Sequence, residues 1–191
     1  MFPNSRSKQR LQARFRDAQT GFTLIELMVT IAIAATLMMV AVPSFVQFQR
    51  NARLSDAVSS FISAANTARA NAMKQGVNTY LVSATGTNWS SGWLVYSDAN
   101  WNKVFDEGTE EVVLRHEVLG TDLAITTPGA IGGPNSLVDG YLMFNGSGYP
   151  RLKDGSFSNG RIEIKTTDRT RTVIFDQVGR VRSCITESTG C

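Results

Sequence analysis

The chain has 191 residues, 19 Lys or Arg against 16 Asp or Glu, one His and two Cys. That length allows one ordinary domain with appendages and a core that is real but not large. The net charge of +3 invites a nucleic-acid reading, yet residues 1–21 hold Arg6, Lys8, Arg10, Arg14 and Arg16 against Asp17, leaving 14 basic and 15 acidic residues after Gly21. Overall basicity therefore says nothing about partners, and any electropositive patch must come from arrangement.

After the basic start, Phe22 to Val46 runs for 25 residues with a single charge, Glu26, and polarity returns at Arg50. A helix rising about 1.5 Å per residue crosses a bilayer core in roughly 20 residues. The positive-inside rule places residues 1–21 in the cytoplasm and the remainder beyond the membrane. An ordinary secretory signal with a small-residue cut near Ala32-Ile33-Ala34 is the competing reading. Glu26 interrupts its apolar region, and apolar character continues past the supposed cut. A carboxylate inside a membrane helix is costly and implies a partner. Cutting before Phe22 would create one, an α-amino group on the same or a neighbouring subunit.

Past Pro43 the helical period resumes with Leu54, Val58, Phe61, Ile62, Ala65, Ala68 and Ala72, a core-facing stripe rich in alanine that lets a sheet approach closely. Gly76 is the expected C-cap. Beyond it the pattern changes to short β segments separated by Gly, Asn, Asp and Pro, with strands expected near 77–84, 92–97, 111–118, 141–145, 161–166, 171–176 and 180–184. Thr126 to Asp139 reads as a loop; it lacks the Lys-Ser/Thr ending and adjoining helix of a phosphate cradle. One helix followed by strands alone gives an α+β fold, with the helix packed on antiparallel sheets. The expected divisions are a leader (1–21), a membrane segment (22–46), an amphipathic helix (47–76) and a β-rich domain (77–191).

Charge is uneven in that domain: residues 98–122 carry seven acidic and two basic residues, residues 151–191 five acidic and eight basic. Catalysis has little to work with. His116 lies beside Glu117 in a strand, where neighbours face opposite ways. No His/Cys cluster has metal spacing, and Asp106-Glu107 with Glu110-Glu111 lacks the pattern of a calcium loop. The expectation is a non-enzyme without cofactor or metal.

The segment Arg171 to Asp176, a loop Gln177-Val178-Gly179, and Arg180 to Cys184 read as a hairpin with Gly179 left-handed. This register sets Phe175 opposite Val181 and Ile174 opposite Arg182. Arg180 and Arg182 then project outward together, about 7 Å apart along the strand, a spacing compatible with neighbouring phosphates. Lys165, Arg169 and Arg171 are candidates to widen the patch. An Arg180–Asp176 ion pair is the alternative use of the first arginine. If the domain is exported, Cys184 and Cys191 lie in an oxidising compartment, where a short-loop disulfide competes with two free thiols.

Two stretches resemble a known family. Gly21-Phe22-Thr23-Leu24-Ile25-Glu26 resembles the class III signal of type IV pilins and type II secretion pseudopilins. The resemblance implies that a prepilin peptidase cuts after Gly21 and methylates Phe22, and that Glu26 serves assembly; Pro43 falls where such pilins carry a helix-kinking proline. The alanine-rich helix, the strand-rich domain and the ending Gly179-Arg180-Val181-Arg182 resemble the GspH/FimT minor pilins over essentially the whole chain. Some FimT-like members bind DNA during natural transformation through a C-terminal Gly-Arg-x-Arg motif. By that resemblance the chain sits in the inner membrane with a periplasmic domain, then in an extracellular pilus at or near the tip. Its partners would be other pilins and double-stranded DNA read without sequence preference. A FimU-like pilin priming assembly and a GspH-like pseudopilin of type II secretion are the alternatives.

Overall fold

Thr23 starts the helix, its hydroxyl accepting the Glu26 main-chain N–H at 3.2 Å and its carbonyl the Leu27 N–H at 3.1 Å. Threonine followed three residues later by glutamate is a strong helix start. From there the computed structural model, which describes residues 21–128 and 134–185, carries one helix, α1, Leu24–Gln75. Pro43 lies inside it and supplies no main-chain donor. The helix ends at Gly76, whose φ of 72° is the left-handed cap that glycine adopts most easily.

Two compact units divide the chain at Pro43 and Ser44. In the first, the described residues are almost all exposed, Phe22 at 83%. In the second, α1 buries Leu54, Ala57, Val58, Phe61, Ala64, Ala65, Ala68 and Ala72. Ile62 of the expected stripe is only partly buried against this core, while Ala57 and Ala64 join it.

The strands are β1 (Thr79–Ser83), β2 (Trp93–Ser97), β3 (Val112–His116), β4 (Ala124–Thr126), β5 (Tyr141–Phe144), β6 (Pro150–Arg151), β7 (Gly160–Lys165), β8 (Thr170–Phe175) and β9 (Val181–Ile185). They form two antiparallel sheets, ordered β3-β2-β1-β5-β6 and β4-β7-β8-β9. Two strands lie outside the expected set. β4 has three residues, exposed at both ends, and β6 has two, of which Pro150 is buried; both are too short for a period to show. The expected loop from Thr126 to Asp139 also holds a short 3-10 helix, Ser136–Asp139, started by Asn135, whose Oδ1 accepts the Leu137 N–H at 3.1 Å. Residues 129–133 of that loop lie outside the described residues.

Alanines on α1 bring the sheets close, and Phe61 fills the remaining space edge-on to Trp89 at 5.5 Å and Trp93 at 5.4 Å. Edge-to-face rings at this separation are a favourable aromatic arrangement. The five-stranded sheet is covered on its other face as well, where Tyr80, Leu94, Tyr96, Tyr141 and Met143 make a second buried cluster with Phe105 and Leu152. Burial on both faces explains why β1, β2 and β5 read as nearly continuous apolar runs.

Candidate functional site

Gly21 and Phe22 precede the helix, and Glu26 sits in its first turn. A Cβ at Gly21 would meet nothing within 4 Å, so the fold itself does not demand glycine there. α1 is the one helix among the described residues long and apolar enough to cross a membrane, with a mean hydropathy of 2.3 in its most apolar window and none of that window buried.

At the other end, β8 and β9 pair as the spacing predicts: Phe175 faces Val181 and Ile174 faces Arg182. The turn is closed by the Gly179 N–H donating to the Asp176 carbonyl at 2.9 Å, with Gly179 at φ 81°. Phe175 and Val173 enter the core with Val181 against them. Arg180 and Arg182, of opposite parity to Val181, are exposed on the outer face. The Asp176 carboxylate is engaged by the main chain: its Oδ1 accepts the Val178 N–H at 3.1 Å and the Arg180 N–H at 2.8 Å. Among the described residues, the ion pairs do not include Arg180 with Asp176.

The cations of the preceding hairpin do not all join this face. Lys165 shares it but is paired with Glu163 at 3.0 Å. Arg171 stands opposite Ile164 and Ile185, in the row that continues to the buried Ile162 and Val173, and so faces away from Arg180 and Arg182. Arg169 is exposed in the turn between β7 and β8. Arg161 is the member the sequence reading lacked. It pairs with Ile174, which pairs with Arg182, so one row across three strands reads Arg-Ile-Arg.

Arg69 of α1 was likewise not anticipated. Its Nη1 donates to the Gly179 carbonyl at 2.9 Å and its Nη2 to the Val178 carbonyl at 3.0 Å. The turn that carries the arginines is therefore tied to the helix. His116 is a packing residue, stacked on Trp93 at 4.0 Å with Nδ1 hydrogen-bonded to the Glu117 carbonyl at 2.8 Å. Cys191 lies outside the described residues, so its pairing with Cys184 stays a proposal.

A helix with an exposed apolar first half, capped at Thr23 and packed by its second half on antiparallel sheets, is the pilin arrangement. The family described as type II transport protein GspH matches residues 57–179, and the prokaryotic N-terminal methylation motif matches residues 16–42. The chain belongs to the GspH family. The GspH-family chain thus combines a pilin-like fold with a prepilin-type N-terminus. Its apolar N-terminal helix and prepilin motif fit membrane anchoring and incorporation into a pilus.

Over 45 residues this GspH-family chain is 44% identical to the type IV major pilin protein PilA of Myxococcus xanthus, covering 24% of the chain and 20% of PilA. Over 46 residues it is 46% identical to prepilin peptidase-dependent protein D of Escherichia coli, covering 24% and 32%. The chain thus spans a third or less of the length of these relatives. Among solved structures, the minor pilin FimU of Pseudomonas aeruginosa superposes with a TM-score of 0.52 at 18% identity, over 71% of this chain and 90% of FimU. The minor pseudopilin EpsH of Vibrio cholerae gives 0.50 at 12% identity, over 71% and 99%. At those identities both show the shared fold.

Proposed function

We propose that this chain is a minor type IV pilin that binds double-stranded DNA without sequence preference, through Arg180 and Arg182, during natural transformation. The observation that carries the reading is the β8–β9 register, which sets both arginines on the exposed outer face while Phe175 and Val181 hold the hairpin to the core. Arg161 supplies a third cation in the Arg182 row, and Arg169 a fourth at the neighbouring turn. Lys165 and Arg171 contribute less, one because Glu163 neutralises it, the other because it faces away. Guanidinium contacts to phosphate are insensitive to base sequence and weaken with salt.

In the same reading a prepilin peptidase cuts between Gly21 and Phe22 and methylates the new amine, and Glu26 pairs with such an amine during assembly. The globular domain is periplasmic until the subunit enters a pilus, at or near its tip, beside other pilins. A Cys184–Cys191 disulfide closes the C-terminal segment.

A gel-shift titration of the full-length protein in detergent with random-sequence duplex tests the DNA site. Arg180→Ala/Arg182→Ala is expected to lose most binding and Arg171→Ala to keep it; wild-type affinity in the double variant would refute the site. The likeness in fold to FimU favours a second reading, a structural pilin that primes assembly. Loss of pili on deletion, without any DNA shift by the purified protein, would select it. Normal pili on deletion would count against it.

A further inference from the structure

The run of strands β7, β8 and β9 is pinned to α1 at both of its ends. Arg69 holds the β8–β9 turn, and nineteen residues earlier in the helix Arg50 holds the β7–β8 turn, its Nη1 lying 3.4 Å from Asp168 Oδ2. At about 1.5 Å per residue these two ties stand roughly 28 Å apart along the helix. One end of the run therefore carries Arg180 and Arg182, and the other carries Thr166 to Arg171. The second end is the one beside the apolar part of the chain. Arg50 is the first charged residue after Glu26, and within its own compact unit it follows Phe45, Val46 and Phe48, exposed at 60%, 39% and 67%. From Phe48 to Arg50 the helix rises only about 3 Å. A basic residue that ends an exposed apolar helix segment reaches the headgroup layer of a bilayer.

The β7–β8 turn also has the lining of an anion site. Thr167, Asp168, Arg169, Thr170, Arg171 and Ile185 border a recess of about 540 Å³. Its one carboxylate, Asp168, is compensated by Arg50. Thr166 shapes the turn, its hydroxyl accepting the Arg169 N–H at 3.1 Å and donating to the Arg169 carbonyl at 3.3 Å. Among the described residues the guanidinium groups of Arg169 and Arg171 make no ion pair or hydrogen bond. Arg169 is exposed and Arg171 half-buried. Arg171 shares the helix-facing row of Ile164 and Ile185, which is why it adds little to the Arg180 and Arg182 face. Ile185, 54% exposed, gives the recess an apolar wall. Guanidinium groups take phosphate oxygens in a bidentate fork, and an apolar wall beside them suits a phosphate esterified to carbon.

We propose that this recess binds the headgroup of an anionic phospholipid while the subunit is in the membrane. Arg169 and Arg171 hold the phosphate, the Thr167 and Thr170 hydroxyls lie beside it, and the Arg50–Asp168 pair is the strut that keeps the turn at the bilayer surface. The ground for lipid over a soluble anion is position: the strut joins the recess to the residue that ends the apolar helix segment, so the chain itself carries the recess to headgroup depth. Arg180 and Arg182, at the opposite end, are out of reach of the same lipid. The role that follows is orientation, because interfacial cations set the tilt and rotation of a membrane helix. This inference goes beyond the DNA-binding reading and rests on membrane anchoring alone. The contact precedes assembly; entry into a pilus breaks it and frees Arg169.

The test uses the full-length protein in nanodiscs of phosphatidylcholine, alone or mixed with phosphatidylglycerol, and reads hydrogen exchange at the main-chain N–H groups of residues 166–171. Phosphatidylglycerol is expected to slow exchange there and to leave residues 177–180 unchanged. Arg169→Gln/Arg171→Gln is expected to keep the circular dichroism of the wild type and to lose the protection, whereas Arg180→Ala/Arg182→Ala retains it. Arg169→Gln alone, at an exposed turn position, is the second variant and should lose part of the protection with an unchanged melt. In detergent, native mass spectrometry with short-chain phosphatidylglycerol should show affinity lower by on the order of tenfold or more in the Arg169 and Arg171 double variant, two cations at the membrane surface being removed. Equal exchange in the two kinds of disc, or full protection in the folded variants, would overturn the proposal. So would inorganic phosphate reproducing the protection in phosphatidylcholine discs, since the recess would then select the ion and not the lipid.

Discussion

Arg69 on the helix and Gly179 in the hairpin turn are joined by a 2.9 Å hydrogen bond from guanidinium to carbonyl, and the same guanidinium reaches the Val178 carbonyl at 3.0 Å. A Cβ at Gly179 would stand 2.5 Å from the Gly148 carbonyl oxygen and 3.1 Å from Arg69 Nε. The glycine of Gly-Arg-x-Arg is thus structural: it fits a left-handed turn against helix and neighbouring loop, and the arginines beyond it inherit a fixed position.

Arg69→Met should therefore lower stability by about 1.5–3 kcal/mol, the range for hydrogen bonds from a charged donor. Gly179→Ala should do comparable damage, since left-handed strain and the clash with Gly148 act together. Melting curves of the two variants check this. Both should also weaken DNA binding through the displaced turn, whereas Arg182→Ala should weaken binding with little change in melting temperature.

Burial raises the pKa of the Glu110 carboxyl above its ordinary 4.5; the Asp106 N–H opposes this, the charges of Asp98 and Asp106 add to it, and the Ala99 N–H opposes it least. Tyr80 from β1 and Tyr96 from β2 border the group and stay neutral, their own ionisation pushed higher mainly by burial. The folded state then holds this proton more tightly than the unfolded state. Its contribution is fully present below 4.5 and is lost as pH rises through the raised value. The protein should accordingly gain from this group as pH falls from neutrality towards 4.5, and Glu110→Gln should remove that part of the slope. Melting temperatures of both proteins across that range decide it; parallel slopes would contradict the prediction.

A Cβ at Gly21 meets nothing within 4 Å among the described residues. Gly21→Val should therefore leave stability unchanged while blocking removal of the leader, which the intact mass of the membrane-extracted protein reports. Glu26→Gln should be processed normally and yet be depleted from sheared pili by an order of magnitude or more, because a carboxylate in lipid depends on its charged partner.

Phe61 is 1% exposed between Trp89 and Trp93. Phe61→Ala should cost about 3–5 kcal/mol, the range for emptying a buried aromatic site. A cooperative melt shifted by less than a few degrees would show that the helix contributes less to the core than its packing implies.

Much of this molecule is legible in the chain because the relevant signals are local. The β8–β9 register follows from one left-handed glycine in a three-residue turn, and Arg171 could have been set aside on parity, since it alternates with Val173 and Phe175. The alanine stripe on α1 shows in the same way. Arg69 was missed because its partners, the carbonyls of Val178 and Gly179, lie more than 100 residues away and leave no mark on local spacing. β4 and β6 were missed because they are short edge segments defined by pairing.

The most direct test of the central claim is the salt dependence of DNA binding by the full-length protein in detergent, measured with random-sequence duplex for the wild type and for Arg180→Ala/Arg182→Ala. The account predicts a linear fall of log affinity with log salt in the wild type, and in the variant weaker binding with a slope shallower by about 2, one for each lost phosphate contact. Equal affinity and equal slope in the two proteins would contradict it.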